Sequence, residues 1–517
     1  MIRVSNIKLP IHDSDIKSAL IRKLGAAADD VVSYKIAKKS VDARRKNDIK
    51  YIYSVDAEVK NSKKYLKLKD VAETKEFHYE YMTADFKKRP VVIGFGPAGM
   101  FAALILAEGG ARPIVLERGK SVDERSEDVE KLKKFRILNP ESNIQFGEGG
   151  AGTFSDGKLT TGIKDKACRF VLETFAAFGA PEEILYLAKP HIGTDNLKLV
   201  VKNIRNRIIS LGGEVRFRSR VTGFDTGGGR LKGVFVSGDY IETDTAILAV
   251  GHSARDTFKT LYASGFPMEQ KPFAVGVRIE HLQKDIGFAC YGEEYKNLPA
   301  ASYKLVSHAG SRGVYTFCMC PGGEVVPAAS EEGMLVTNGM SEFARAGENA
   351  NSALLVGIPP DSSGNPLRGI ELQRRMEKAA YTLGGGGYKA PVQLVGDFLA
   401  DRESRTLGDI YPTYKPGFTL CDLRECLPGD VAEALKAAIP DLGRRLDGFD
   451  RNDAVMTGVE SRSSSPVRII RNENKCSPLC SGLYPCGEGA GYAGGIVSAA
   501  ADGIHCAEAA ILSIRKK

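Results

Sequence analysis

The chain has 517 residues, 43% hydrophobic and 26% charged, which is the composition of a soluble globular protein with room for two to four domains of ~100–200 residues. Its 10 cysteines form neither a disulfide scaffold nor a paired C-x-x-C zinc module, so reduced thiols in a cytoplasmic protein are expected. The net charge of +8 is local: residues 1–88 hold 20 Lys/Arg against 13 Asp/Glu, which leaves the rest of the chain close to neutral, with no global bias toward binding polyanions. No signal-peptide pattern opens the chain and no stretch reads as a bilayer span, so no membrane partner is expected.

Residues 1–84 read as a small basic α+β domain, with strands over 2–8, 31–39 and 49–59 and a helix near 14–24. A basic module of this kind can dock RNA. It lacks an aromatic RNA-binding signature, so a docking or folding unit is the favoured reading.

Residues 89–265 open on Val91-Val-Ile-Gly-Phe-Gly-Pro-Ala-Gly99, a buried strand followed by the G-x-G-x-x-G turn of a dinucleotide fold. Gly94 permits the tight turn, Gly96 lets a pyrophosphate approach the backbone, and Gly99 lets the helix pack on the strand. Glu117 closes a second strand 18 residues on, where a carboxylate can accept ribose hydroxyls. A membrane helix over 91–107 is disfavoured, because the glycines and Pro97 crowd one end and a span needs ~20 apolar residues.

A charged helix is expected over 121–136, then a loop over 145–158 dense in glycine and small polar residues. A helix over 197–210 and a three-strand meander over 221–242 follow, and then a buried strand that ends on Gly251. This order matches the flavoprotein variant of the dinucleotide fold.

Residues 266–449 are less periodic and read as a substrate-side cap domain, with a helix over 369–383. Residues 450–517 return to the nucleotide fold. There Gly482-Leu-Tyr-Pro-Cys-Gly-Glu-Gly-Ala-Gly-Tyr-Ala-Gly-Gly-Ile496 leads into a helix of small residues over 497–511. Glu488 can bind ribitol hydroxyls, and the helix after Gly494-Gly495 can point its positive end at a flavin.

From residue 89 onward the chain resembles a group of bacterial FAD-dependent dehydrogenases of unassigned substrate, within the class that includes p-hydroxybenzoate hydroxylase and glutathione reductase. The resemblance rests on Val91–Gly99 with Glu117, Gly147–Lys158, Pro190-His-Ile-Gly-Thr-Asp195, Cys320-Pro-Gly-Gly323, Val459–Arg468 and Gly482–Ile496. It implies non-covalent FAD and an oxidoreductase role, with NAD(P)H as a transient electron donor left open. The fold expected is α/β: a Rossmann-type FAD-binding domain with an inserted β-meander, an interleaved α+β substrate domain and the small N-terminal α+β domain. The expected cofactor set is Gly94, Gly96, Pro97, Ala98, Gly99, Glu117, Arg118, Lys158, Val221, Gly251, Gly487, Glu488, Gly494, Gly495 and Ile496. Glutathione-reductase-type enzymes carry C-x4-C soon after the first helix and a second nucleotide fingerprint. Here Cys421-x4-Cys426 sits far downstream and no second fingerprint is present, which argues against a dithiol mechanism.

His191, beside a glycine and Asp195, is the first candidate for proton transfer, and Cys320, before a Pro-Gly-Gly turn, is a candidate thiol. His252 lies beside Gly251, near the expected phosphates. Arg462 and Arg468 suit a carboxylate or phosphate of the substrate, with structural pairing to Glu460 as the competing reading. The function read from these features is flavin-mediated oxidation or reduction of a small organic substrate. The alternatives are a flavin-dependent monooxygenase and an RNA-associated flavoprotein. Oligomeric state is left open.

Overall fold

The computed structural model describes residues 1–515. The N-terminal module folds as its alternating pattern dictates. Strands Val31–Asp42, Lys50–Val59, Ile2–Pro10 and Val71–Glu73 form an antiparallel sheet in that order. Helix Ile16–Leu24 contributes Ala19, Leu20 and Leu24 to the core it shares with that sheet. Asp15 caps the helix by accepting the Ser18 amide at 3.0 Å, and Gly25, at φ +59°, terminates it.

This module is tied to the rest of the chain at its edge strand. The Lys39 amide donates to the Tyr186 carbonyl at 2.7 Å, and the Ala188 amide donates to the Lys39 carbonyl at 2.9 Å. Residues 74–90 form no helix or strand, yet they are not a loose linker. Phe77, Tyr79, Met82, Ala84 and Phe86 pack on the core of the nucleotide-binding domain, with Tyr79 stacked on Phe170 at 4.1 Å. The first module thus ends with the strand Val71–Glu73, and the stretch up to residue 84 belongs structurally to its neighbour.

The nucleotide-binding domain is built on a parallel sheet ordered Leu483–Pro485, Ala246–Leu248, Val91–Ile93, Ile114–Leu116, Glu214–Arg216. Its first four strands are buried on both faces, so they read as short apolar runs. The meander Val221–Gly227, Arg230–Val236, Asp239–Glu242 is antiparallel.

Helix Pro97–Glu108 crosses the C-terminal helix Ile496–Arg515 closely: a Cβ on Gly503 would lie 2.1 Å from the Ala98 carbonyl oxygen. That contact explains the small residues of the C-terminal helix. At 20 residues it is, among the described residues, the one helix long and apolar enough to cross a membrane, which corrects the expectation that none exists. It lies in the core, and its Asp502 pairs with Arg471 at 2.6 Å.

The cap domain is a seven-stranded sheet ordered Val306–Ser307, Val314–Cys320, Asn349–Ile358, Phe273–Leu282, Val455–Glu460, Ala390–Leu394, Phe418–Leu420. All ten residues of Phe273–Leu282 are buried, which is why the region shows little alternation in sequence. Helices Arg368–Leu383 and Gly429–Gly443 supply apolar side chains to its core. Strand Val455–Glu460 sits inside this sheet, so the cap continues past the boundary expected at residue 449. Strand Val467–Ile469 then pairs with Met268–Gln270 as the chain leaves the cap.

Candidate active site

The ends of the parallel strands, the loop over 145–158 and the face of the cap sheet enclose one cavity of about 740 Å³. Its first wall is the turn after Val91–Ile93. Gly94 has φ +94°, and a Cβ there would lie 2.4 Å from the Ala249 carbonyl oxygen, so only glycine fits. Gly96 caps helix Pro97–Glu108, with Pro97 in the first turn, where its missing N–H leaves no bond unmade. Gly96, Pro97 and Ala98 line the cavity. Gly99 stands behind them, where a Cβ would meet the Gly94 carbonyl oxygen at 1.9 Å, so its part is helix packing.

Glu117 lines the cavity, but its carboxylate already accepts three backbone amides: Phe95 at 2.8 Å, Gly119 at 2.8 Å and Gly147 at 2.9 Å. A carboxylate has about four acceptor positions, so one remains for a ribose hydroxyl. Its larger part is to bolt the glycine turn to the loop over 145–158. Arg118 lies 4.0 Å over the Phe146 ring and pairs with Glu141 and Asp256, each at 3.0 Å. Val221 lines the same end.

The second wall is the turn after Leu483–Pro485. Gly487, at φ +74°, faces Ala98 at 2.7 Å from an added Cβ and lies behind the lining, whereas Glu488 faces the cavity 3.4 Å from His252 Nδ1. Gly494, Gly495 and Ile496 line it just before or at the start of the C-terminal helix. Gly251, Gly494 and Gly495 have open space where a Cβ would stand, with nothing within 4 Å. His252 Nε2 is buried at this wall without a hydrogen-bond partner among the described residues.

The loop between these walls is held by a residue that sequence reading missed. Fully buried Arg125 donates to the carbonyls of Asn143 (2.8 Å), Ile144 (2.7 Å), Glu148 (2.6 Å) and Gly150 (2.9 Å). Burial lowers its pKa to about 10, so the guanidinium is still protonated at neutral pH. The signal was present: Arg125 shares the core-facing stripe of Val122, Val129 and Leu132 on one helix.

The cap supplies the third wall, with Cys318, Met319, Cys320, Asn338 and Arg345 in the lining. Asp156 bridges Lys158 at 2.9 Å and Arg345 at 2.5 Å. Burial opposes its ionisation, but the two cations prevail and hold it below the usual carboxylate range. The Lys158 ammonium also donates to the Met319 carbonyl. Cys318 has φ +42° at an irregular point in strand Val314–Cys320, and it lines the cavity amid surrounding protein atoms that desolvate it. Its thiol is pushed up to about 12 by that burial.

The four residues proposed for chemistry fall in different places. Cys320 lines the cavity, donates to the Cys318 carbonyl at 3.2 Å, and is pushed above its ordinary pKa by burial, so it rests as a thiol. His191 is outside the lining: its ring stacks on Phe343 at 5.1 Å and Nε2 donates to the Phe343 carbonyl at 3.0 Å. Burial, then Arg345, lower its pKa and keep it neutral. Arg462 borders the cavity, but its fork binds Glu377 at 3.0 and 2.7 Å and Ser330 at 2.5 Å. The partner expected for it, Glu460, binds Arg278 instead, at 2.5 and 3.1 Å. Glu377 is also gripped by Arg255, so it clamps the cap helix Arg368–Leu383 to the nucleotide-binding domain. The Arg468 guanidinium lies outside the cavity, with Glu269 at 3.1 Å and Tyr492.

These features fit a flavin dinucleotide. Two glycine turns open helices toward one cavity, the open sides of Gly251, Gly494 and Gly495 leave room for a ligand, and His252 Nε2 has no hydrogen-bond partner among the described residues at that wall. The class is therefore a Rossmann-type FAD-binding domain with an inserted meander, an interleaved α+β cap and a small N-terminal α+β domain.

Comparison with known proteins agrees. A family model described as "FAD-dependent protein, C-terminal domain-like" matches residues 272–463, the cap, and one described as a domain of unknown function matches residues 1–58. An uncharacterized protein of Clostridium beijerinckii is 51% identical over 521 residues, covering 98% of each chain. The chain belongs to one family with that uncharacterized protein, and its cofactor is FAD. Among solved structures, glycine oxidase from Bacillus cereus is 10% identical, covering 83% of this chain and 98% of that one at a TM-score of 0.36. L-proline dehydrogenase from P. horikoshii is 14% identical, covering 82% and 93% at a TM-score of 0.33.

Proposed function

We propose that the protein is an FAD-dependent oxidoreductase that dehydrogenates or reduces a small organic substrate. The observation that carries this reading is the meeting of two glycine-rich strand-to-helix turns, from opposite ends of the chain, with a polar cap wall at one cavity. FAD supplies hydride or electron transfer when bound. The amides at the start of helix Pro97–Glu108 bind phosphate, aided by the positive end of the helix. The start of helix Ile496–Arg515 places a second positive end at the cavity, which favours added negative charge there. The cap strand Val314–Cys320 closes the opposite side and leaves space for a substrate.

The test is anaerobic. The purified, FAD-loaded protein is mixed with NADH, NADPH and a panel of organic donors while its visible absorbance is followed. Bleaching by a donor, and recovery with an acceptor, is the expected result. A bound flavin that no donor in the panel reduces contradicts redox catalysis.

A further inference from the structure

One end of the cavity is walled by the loop over 155–162, by Lys189 and Pro190, and by cap residues over 302–304 and 316–320. Direct contacts hold these segments together. Lys158 donates to Met319 and shares a β-bridge with His191, and Lys189 Nζ donates to Ser302 Oγ at 3.3 Å. That bond places Lys189 beside Ser302, which stands two residues before Lys304.

The charges at this end do not balance. Lys158, Lys189, Lys304 and Arg345 line it against Asp156, because the other carboxylate in this wall, Glu460, is taken up by Arg278. Asp156 is already shared by Lys158 and Arg345. Lys189 and Lys304 are exposed and have no carboxylate within ion-pair distance among the described residues. Thr160 and Thr161 line the same space. A concave wall with excess charge of one sign concentrates the opposite sign.

We infer that the substrate carries an oxyanionic group, a carboxylate or a phosphate, and that Lys189 and Lys304 dock it at the cavity mouth. The inference rests on the flavin reading of the cavity. It excludes neutral alcohols and amines as preferred substrates. It also gives the N-terminal module a part, since the Lys39 contacts with Tyr186 and Ala188 fix the segment that presents Lys189.

The test uses the full-length, FAD-loaded protein. Acetate, succinate, benzoate and phenyl phosphate are titrated beside the uncharged acetamide, succinamide, benzamide and phenol, with binding read from the perturbation of the flavin visible spectrum. At least one anion should bind tenfold or more tightly than its neutral counterpart, and the carboxylate and phosphate arms identify which oxyanion is preferred. The Lys189→Gln/Lys304→Gln double variant should lose most of that preference while keeping its flavin content and its unliganded spectrum. Equal binding of the neutral partners, no response to any anion, or an undiminished preference in the double variant overturns the inference. A colourless protein that takes up no FAD would remove the flavin reading itself, before any anion is added.

Discussion

Arg125 shows how much of the site depends on a single side chain that lies outside the cavity lining. Four carbonyl groups of the loop over 143–150 converge on its guanidinium, and a Cβ on Gly147 would lie 2.4 Å from Arg125 Cδ, so glycine and arginine are fitted to each other. Replacing Arg125 by Met keeps much of the apolar stem but leaves those carbonyls without a donor. An unsatisfied buried polar group costs about 1–3 kcal/mol. The Arg125→Met variant is therefore expected to unfold at lower denaturant and to hold FAD at least tenfold more weakly, measured by equilibrium dialysis. Unchanged FAD affinity in a folded variant would show that the loop is organised by other contacts, Glu117 foremost. The sequence could nominate Gly94 and Gly96, whose roles are local. It could not show that Glu117 would be drawn to three amides, because two of those, Phe95 and Gly147, lie 22 and 30 residues away along the chain.

Among the elements, the strap over 74–90 and the C-terminal helix are joined by a polar cluster that gives stability a defined pH dependence. His505 lies between Glu508, 3.0 Å from Nδ1, and Asp165, 2.7 Å from Nε2, while Tyr79 donates to the other Glu508 oxygen at 2.7 Å. Glu508 and then Asp165 outweigh burial and raise the histidine from 6.5 to about 9. A raised folded-state pKa stabilises fully below the unfolded value of 6.5, and the contribution is lost as pH climbs through about 9. The cluster is partly exposed, so solvent weakens it. Thermal unfolding of His505→Gln is expected to fall below that of the unaltered protein at pH values under 6.5, with the gap closing above about 9. A gap constant across that range would show that charge plays no part.

Elements with a single-face period, such as helices Ile16–Leu24 and Arg368–Leu383, were legible from their apolar spacing. The seven-stranded cap sheet was not, because a strand such as Phe273–Leu282, buried throughout, leaves no alternation to read. The strap was hidden for the opposite reason: its aromatic residues belong to no regular element, so no period marks them.

For the whole molecule, cofactor binding depends on the two chain ends being brought together. Strand Leu483–Pro485 lies parallel to Ala246–Leu248, which lies parallel to Val91–Ile93, so the two glycine turns stand two strands apart at the C-terminal ends of one sheet's strands. The N-terminal module braces the cavity mouth through its edge strand, and Glu377 clamps the cap between Arg255 and Arg462. The most direct test compares FAD stoichiometry in the purified protein and in Gly96→Val. Gly96 has an ordinary φ of −76°, so the variant strains no backbone, and its side chain would occupy space at the phosphate turn. About one FAD per chain is expected for the unaltered protein, with a folded Gly96→Val that retains less than a tenth of it. Full FAD retention by the variant would contradict the assignment of that turn to the cofactor phosphates.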